Sequence, residues 1–169
     1  MEAEFFYLQE AKSQAELAVY SYHEYEKYLK SRDTEKLFYY LHHFALHSTN
    51  IDKLLFPIPS KRNNFKFRLE ILETIQQKVQ FNSTEVRKLR NHLEHFDERL
   101  DKYVKNYNGQ PFFDNNIFTG VKGLPLNKIT YLRAIDGDNY LFYGEQFNIK
   151  QIYKSVSLIL KALNAYLNE

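Results

Sequence analysis

The sequence contains no cysteine, no tryptophan and a single methionine among its 169 residues. Without cysteine, the chain cannot form a disulfide, a thiolate metal site or a cysteine nucleophile, which is consistent with a reducing compartment. No apolar run approaches the ~18 residues that a membrane span requires. The acidic opening, MEAEFFYLQE, also differs from a secretory signal, whose first residues are basic. We therefore expect a cytoplasmic protein with no membrane segment.

The chain also lacks a strong charge of either sign, since 23 lysines and arginines nearly balance 21 aspartates and glutamates. No overall field attracts it to nucleic acid or to an anionic membrane, so any contact with nucleic acid must be local. Its length and its 44% hydrophobic and 26% charged residues are typical of one globular domain. All its aromatic residues are tyrosine and phenylalanine, and we expect most of them in the core and an oligomer interface.

Apolar residues at helical spacing predict a mostly helical protein. The five predicted helices cover residues 3–30, 34–56, about 65–80, 83 to about 103–105, and 149–167. Polar residues that can cap a helix precede three of them: Asp33 or Thr34, Asn82 or Ser83, and Asn148. The second helix must end before Pro57, because a proline disfavours helical backbone geometry at the residue before it.

Two regions break the helical pattern. Residues 106–127 contain three of the five glycines and two of the four prolines, so we expect a surface loop there. Two β-prone runs then flank Asp136-Gly137, a pair that favours a tight turn, so we expect a β-hairpin over about 129–147. The predicted fold class is all-α: an up-and-down bundle of about five helices, with a hairpin inserted before the C-terminal helix, in a single domain over 1–169.

The fourth predicted helix has an unusual polar face. At 100° per residue, its apolar side chains form one stripe, and six polar residues lie on the opposite side: Arg87, Arg90, Asn91, Glu94, His95 and Glu98. A solvated face with local pairs between residues four apart, each worth a few tenths of a kcal/mol, would account for them. Alternatively, Arg90 could bind a phosphate and His95 could move a proton, with Asn91 orienting the histidine or the substrate.

The segment RNHLEH, residues 90–95, resembles the signature of the HEPN superfamily, in which an arginine, a polar residue and a later histidine lie on a late helix of a bundle. The resemblance implies metal-independent RNA cleavage, without a cofactor, by a homodimer whose motif helices face each other across a cleft. His95 would take the proton of a ribose 2′-hydroxyl, which attacks the phosphate and leaves a 2′,3′-cyclic phosphate. Arg90 would stabilise the charge on the phosphate oxygens.

The resemblance also implies a role as a bacterial toxin or defence component, paired with an antitoxin of the nucleotidyltransferase type. In some members such a partner modifies a tyrosine two residues after the motif histidine, where this chain has Asp97. Other members are noncatalytic modules, so binding of a nucleotide, RNA or a protein without cleavage remains the alternative.

Several other residues fit a secondary role. Arg87 is a candidate for an auxiliary phosphate contact, and His47 and Asn50 for a polar strip that lines the cleft. His43 and His47 stand four residues apart, as in half of a zinc site, so a metal-binding helical protein is a third hypothesis, although we expect no metal. His92 borders the apolar stripe, and we expect it to be packed and hydrogen-bonded.

Overall fold

The computed structural model describes residues 2–56, 83–118 and 130–168, and this part of the chain is mostly helical. It contains five helices: α1 (Glu2–Ser31), α2 (Thr34–Leu55), α3 (Ser83–Glu94), α4 (Phe96–Lys105) and α5 (Ile149–Leu167). The predicted helix over 65–80 lies outside the described residues. Among the described helices, none has the combination of length and apolar character that crossing a membrane would demand.

Helices α1 and α2 form a helical hairpin on which the rest of the fold is built. Of the two predicted cap residues, Asp33 and Thr34, it is Asp33 that caps α2: its carboxylate accepts a hydrogen bond from the backbone N–H of Lys36 at 3.2 Å. The small side chains of Ala11, Ala15 and Ala18 on α1 allow the two helices to approach closely. The larger apolar side chains of Leu37, Leu41 and Phe44 on α2 belong to the same core. α3 packs on α2 and α5 packs on α1.

The last helix agrees with the sequence prediction. The side chain of Asn148 accepts a hydrogen bond from the backbone N–H of Gln151 at 2.9 Å and so caps α5. The predicted apolar stripe is buried in the shared core at Ile152, Val156, Ile159 and Leu163.

The predicted hairpin is present but belongs to a larger β-structure. The strands are β1 (Phe112–Phe113), β2 (Asn116–Ile117), β3 (Thr130–Tyr131), β4 (Arg133–Asp136), β5 (Asn139–Phe142) and β6 (Glu145–Asn148). β2, β4, β5 and β6 form one sheet in that order, in which β2 is parallel to β4 and the other pairs are antiparallel, while β1 pairs with β3 in parallel. The prediction of a loop over 106–127 was therefore wrong at the two short strands β1 and β2.

The turn of the hairpin lies one residue further along than predicted. Asp136 pairs with Asn139, which leaves Gly137 and Asp138 as the two-residue turn. Gly137 has φ +58°, a conformation that glycine adopts without steric cost. The sheet shares the helical core through Ile135, Tyr140, Phe142 and Phe147.

Candidate functional site

The helix that carries the motif is interrupted at His95. One continuous helix from 83 to about 105 was predicted, but α3 ends at Glu94 and α4 begins at Phe96, with His95 between them at φ −124° and ψ 32°. The backbone N–H of His95 still donates to the carbonyl of Asn91 at 3.1 Å. The helical angles assigned from the sequence therefore apply to α3 and do not extend into α4.

At this break the imidazole of His95 is 53% exposed, and its Nδ1 lies 3.1 Å from Glu98 Oε1. An ionised carboxylate can only accept a hydrogen bond, so Nδ1 carries the hydrogen. In the neutral ring, Nε2 is then the unprotonated nitrogen. An accessible nitrogen of this kind can act as a general base.

His95 and Asn91 line the same open depression, of about 400 Å³, and the other lining residues are Glu98, Arg99 and Lys102. The structure thus brings together two of the three predicted catalytic residues and adds two cations that the sequence prediction missed. Within the described part of the chain, no carboxylate lies in ion-pair distance of either cation, and the buried Nε of Arg99 has no hydrogen-bond partner. Arg99 and Lys102 follow His95 by four and seven residues, a helical spacing that could have indicated them.

Arg90, the third predicted catalytic residue, does not line this depression. Its side chain is only 12% exposed because α3 packs on α2, and its Nη1 lies 3.3 Å from Asp52 Oδ2. Its Nε lies 3.8 Å from Glu94 Oε2, so the local pair expected from the sequence is present. Glu94 also contacts Lys53 Nζ at 2.6 Å.

Arg87 belongs to the same ion cluster. Its Nε donates to Asp52 Oδ2 at 3.3 Å, and its Nη2 donates to the carbonyl of Phe56 at 2.6 Å. Burial raises the pKa of the Asp52 carboxyl, and the guanidinium groups of Arg87 and Arg90 oppose this shift. This cluster fastens α3 to the last turn of α2 and places both arginines against the helical hairpin.

The polar strip expected on α2 is tied to α1. The Oε1 of Gln14 accepts hydrogen bonds from His47 Nδ1 at 2.8 Å and from Asn50 Nδ2 at 3.1 Å. Burial lowers the pKa of His47. His43 donates from Nδ1 to the carbonyl of Tyr39 at 2.8 Å. Across the described ranges, no three histidine or carboxylate side chains are grouped as a metal site requires.

His92 is buried and packed, as predicted. Its Nδ1 lies 3.1 Å from Glu145 Oε2, and its ring packs on Phe147 with the centroids 5.3 Å apart. Burial and the charge of Arg99 lower the pKa of His92, while Glu145 opposes them. His92 therefore joins α3 to β6.

Comparisons of the chain with protein-family models, with curated proteins and with solved structures found no match.

Proposed function

We propose that the protein is a metal-independent endoribonuclease of the HEPN type. The observation that supports this function is the exposed imidazole of His95, bonded to Glu98 at the edge of a depression that also contains Arg99 and Lys102. Attack by a ribose 2′-hydroxyl needs a base for the proton and positive charge near the phosphate. Both requirements are met by side chains that lie together.

In the proposed reaction, Nε2 of His95 accepts the proton of the 2′-hydroxyl. The 2′-oxygen attacks phosphorus, and the bond from phosphorus to the 5′-oxygen breaks. The 5′-oxygen takes up a proton from water, the His95 imidazolium returns its proton to water, and the products are a 2′,3′-cyclic phosphate and a 5′-hydroxyl. Glu98 would stabilise the imidazolium, the Asn91 amide would orient the phosphate, and Arg99 and Lys102 would offset its negative charge.

The motif also assigns phosphate binding to Arg90, and we retain this role as a prediction. Arg90 would reach the phosphate by exchanging its contact with Glu94 while Nη1 stays on Asp52. Glu94 would keep Lys53 as its partner. The auxiliary contacts predicted for Arg87, His47 and Asn50 also remain predictions.

The remaining parts of the proposal rest only on the resemblance of residues 90–95 to the HEPN signature. These are action in the cytoplasm as a toxin or defence component and an antitoxin partner of the nucleotidyltransferase type.

We further propose a homodimer formed through the motif helix α3 and the start of α4. Phe96, directly after His95 at the start of α4, is about half exposed. Sedimentation velocity should give about twice the 20.3 kDa mass of the chain. Phe96→Asp should yield a monomer, because a carboxylate in an apolar contact is poorly solvated. The control Phe6→Asp, at an exposed site on α1, should remain dimeric, and a monomeric wild type would refute the dimer.

One observation favours the noncatalytic alternative. Arg90 is held in the ion cluster with Asp52, so the depression contains a histidine without its motif arginine. A module that binds RNA or a nucleotide, and does not cut it, would need only the cations and the amide.

An RNA cleavage assay separates these functions. Purified protein is incubated with single-stranded RNA and with DNA of the same sequence, with a chelator present. We expect cleavage of RNA only, a loss of about 100-fold or more in His95→Ala, and a clear loss in Arg99→Gln. Lys161→Gln, at an exposed site on α5, is the matched control and should retain full activity.

Equal cleavage by wild type and His95→Ala would refute the catalytic assignment. Cleavage that disappears with the chelator would favour a metal-dependent protein. RNA that is bound but not cut would favour the noncatalytic module.

A further inference from the structure

Three open depressions adjoin one another around α4. The His95 depression shares Arg99 and Lys102 with a second one, of about 360 Å³, and the second shares Tyr103 and Leu132 with a third, of about 370 Å³. These three adjoining depressions are together called the α4 groove here, and they extend around α4 from His95 to Tyr107. The ten residues of α4 rise about 15 Å, so the groove is long enough for more than one nucleotide.

The chemistry of the α4 groove changes along its length. Polar and charged side chains surround the end near His95, whereas the far end is lined by Leu100, Tyr103, Val104, Tyr107, Phe112 and Leu132. The ring of Tyr103 lies 5.9 Å from that of Tyr107 and 6.1 Å from that of Phe112, between centroids. Tyr107 and Phe112 are about half exposed, so each presents an aromatic surface to an incoming ligand.

Cations beside exposed aromatic rings complement a nucleotide, which has a charged phosphate and a flat base. A second copy of the chain fits the middle of the groove less well. If the grooves of two copies met about a two-fold axis, Arg99 and Lys102 of one copy would lie close to Arg99 and Lys102 of the other. These like charges would repel each other.

We propose that single-stranded RNA lies in the α4 groove. Arg99 and Lys102 hold the phosphate next to His95, and a nucleobase one or more positions away stacks at the aromatic end on Tyr107 or Phe112. This inference rests on the proposed function for the position of the cut phosphate, and it adds the substrate class. The substrate must have an unpaired base near the cleavage site, because a base inside a duplex has no free face for stacking.

The test measures binding separately from cleavage. A fluorescent single-stranded RNA with 2′-O-methyl groups has no free 2′-hydroxyl and cannot be cut, and its binding to the full chain is followed by anisotropy. Tyr107→Leu and Phe112→Leu should each weaken binding about fivefold or more, and Tyr107→Phe should bind as wild type does. The matched control is Tyr39→Leu, because Tyr39 on α2 is 57% exposed and Tyr107 is 53% exposed.

A second probe locates the stacked base. Oligonucleotides with one abasic position are scanned along the strand, and at one position the difference between wild type and Tyr107→Leu should disappear. Arg99→Gln should reduce the dependence of binding on salt, because one fewer phosphate contact releases fewer counterions.

The inference is refuted if both leucine variants bind as tightly as wild type, or if a duplex binds as well as the single strand. It is also refuted if Tyr107→Leu converts a dimer into a monomer, since a second copy would then cover the aromatic end. If the stacking effects are found but unmodified RNA is not cut, RNA binding in the α4 groove is supported and the proposed catalytic function is refuted.

Discussion

Two histidines three residues apart show how far the surroundings determine the role of a side chain. His95 is exposed and hydrogen-bonded to Glu98, whereas His92 is buried with its Nδ1 3.1 Å from Glu145 Oε2 on β6. The helical angle of His92 beside the apolar stripe was enough to predict its burial. The partner of Arg90 could not be predicted in the same way, because Asp52 lies 38 residues away and meets it only when α3 packs on α2.

The buried His92 predicts a pH effect on stability. Its pKa is lowered in the folded protein, so below its ordinary value of about 6.5 the unfolded chain binds more protons. The free energy of unfolding should therefore fall as the pH decreases from 7.5 to 5.5. His42 and His47, whose pKa values are also lowered by burial, contribute with the same sign.

Urea unfolding at several pH values measures this effect. His92→Gln should reduce the loss of stability over this range, by up to about 1.4 kcal/mol per pH unit, the limit for one proton. A pH dependence equal to that of wild type would show that His92 does not contribute.

At the scale of elements, local patterns predicted the helix caps and the hairpin, whereas pairings between distant segments were not predicted. The caps at Asp33 and Asn148 were identified because capping depends on residues next to the helix. Strands β1 and β2 were missed because two residues show no periodicity and because their parallel partners lie elsewhere in the chain.

The break at His95 was missed for a related reason. The segment around it contains neither glycine nor proline, and nothing local disfavours a continuous helix. Contacts with the β-structure lie on both sides of the break: His92 Nδ1 lies 3.1 Å from Glu145 Oε2, and the ring of Phe96 lies 6.3 Å from that of Tyr143. We infer that tertiary packing, not local propensity, separates α3 from α4.

The attachment of α3 to α2 gives a prediction at this scale. Arg90→Met removes one guanidinium from the buried Asp52 carboxylate and leaves Arg87 as its partner, so it should lower the free energy of unfolding by about 1.5–3 kcal/mol. The matched control Lys88→Met, on the exposed side of α3, should change stability by less than about 0.5 kcal/mol. Urea unfolding of both variants measures this difference, and unchanged stability of Arg90→Met would contradict the proposed role of the ion cluster.

At the scale of the whole molecule, each part of the fold contributes to the position of the depression. The hairpin of α1 and α2 holds α3 through Asp52, and β6 holds it through Glu145. α4 then continues from His95 with Arg99 and Lys102 on the side of the depression. The chain is nearly neutral overall, so these two cations provide a local charge that the composition alone does not reveal.

The central claim is that His95 activates a ribose 2′-hydroxyl, and one substrate tests it most directly. A DNA strand that contains a single ribonucleotide in a cleavable sequence is incubated with the protein and a chelator. We expect one cut, on the 3′ side of the ribose, with a 2′,3′-cyclic phosphate end. The all-deoxy strand should remain intact, as should the substrate incubated with His95→Ala. Cleavage of the all-deoxy strand, or equal cleavage by His95→Ala, would contradict the claim.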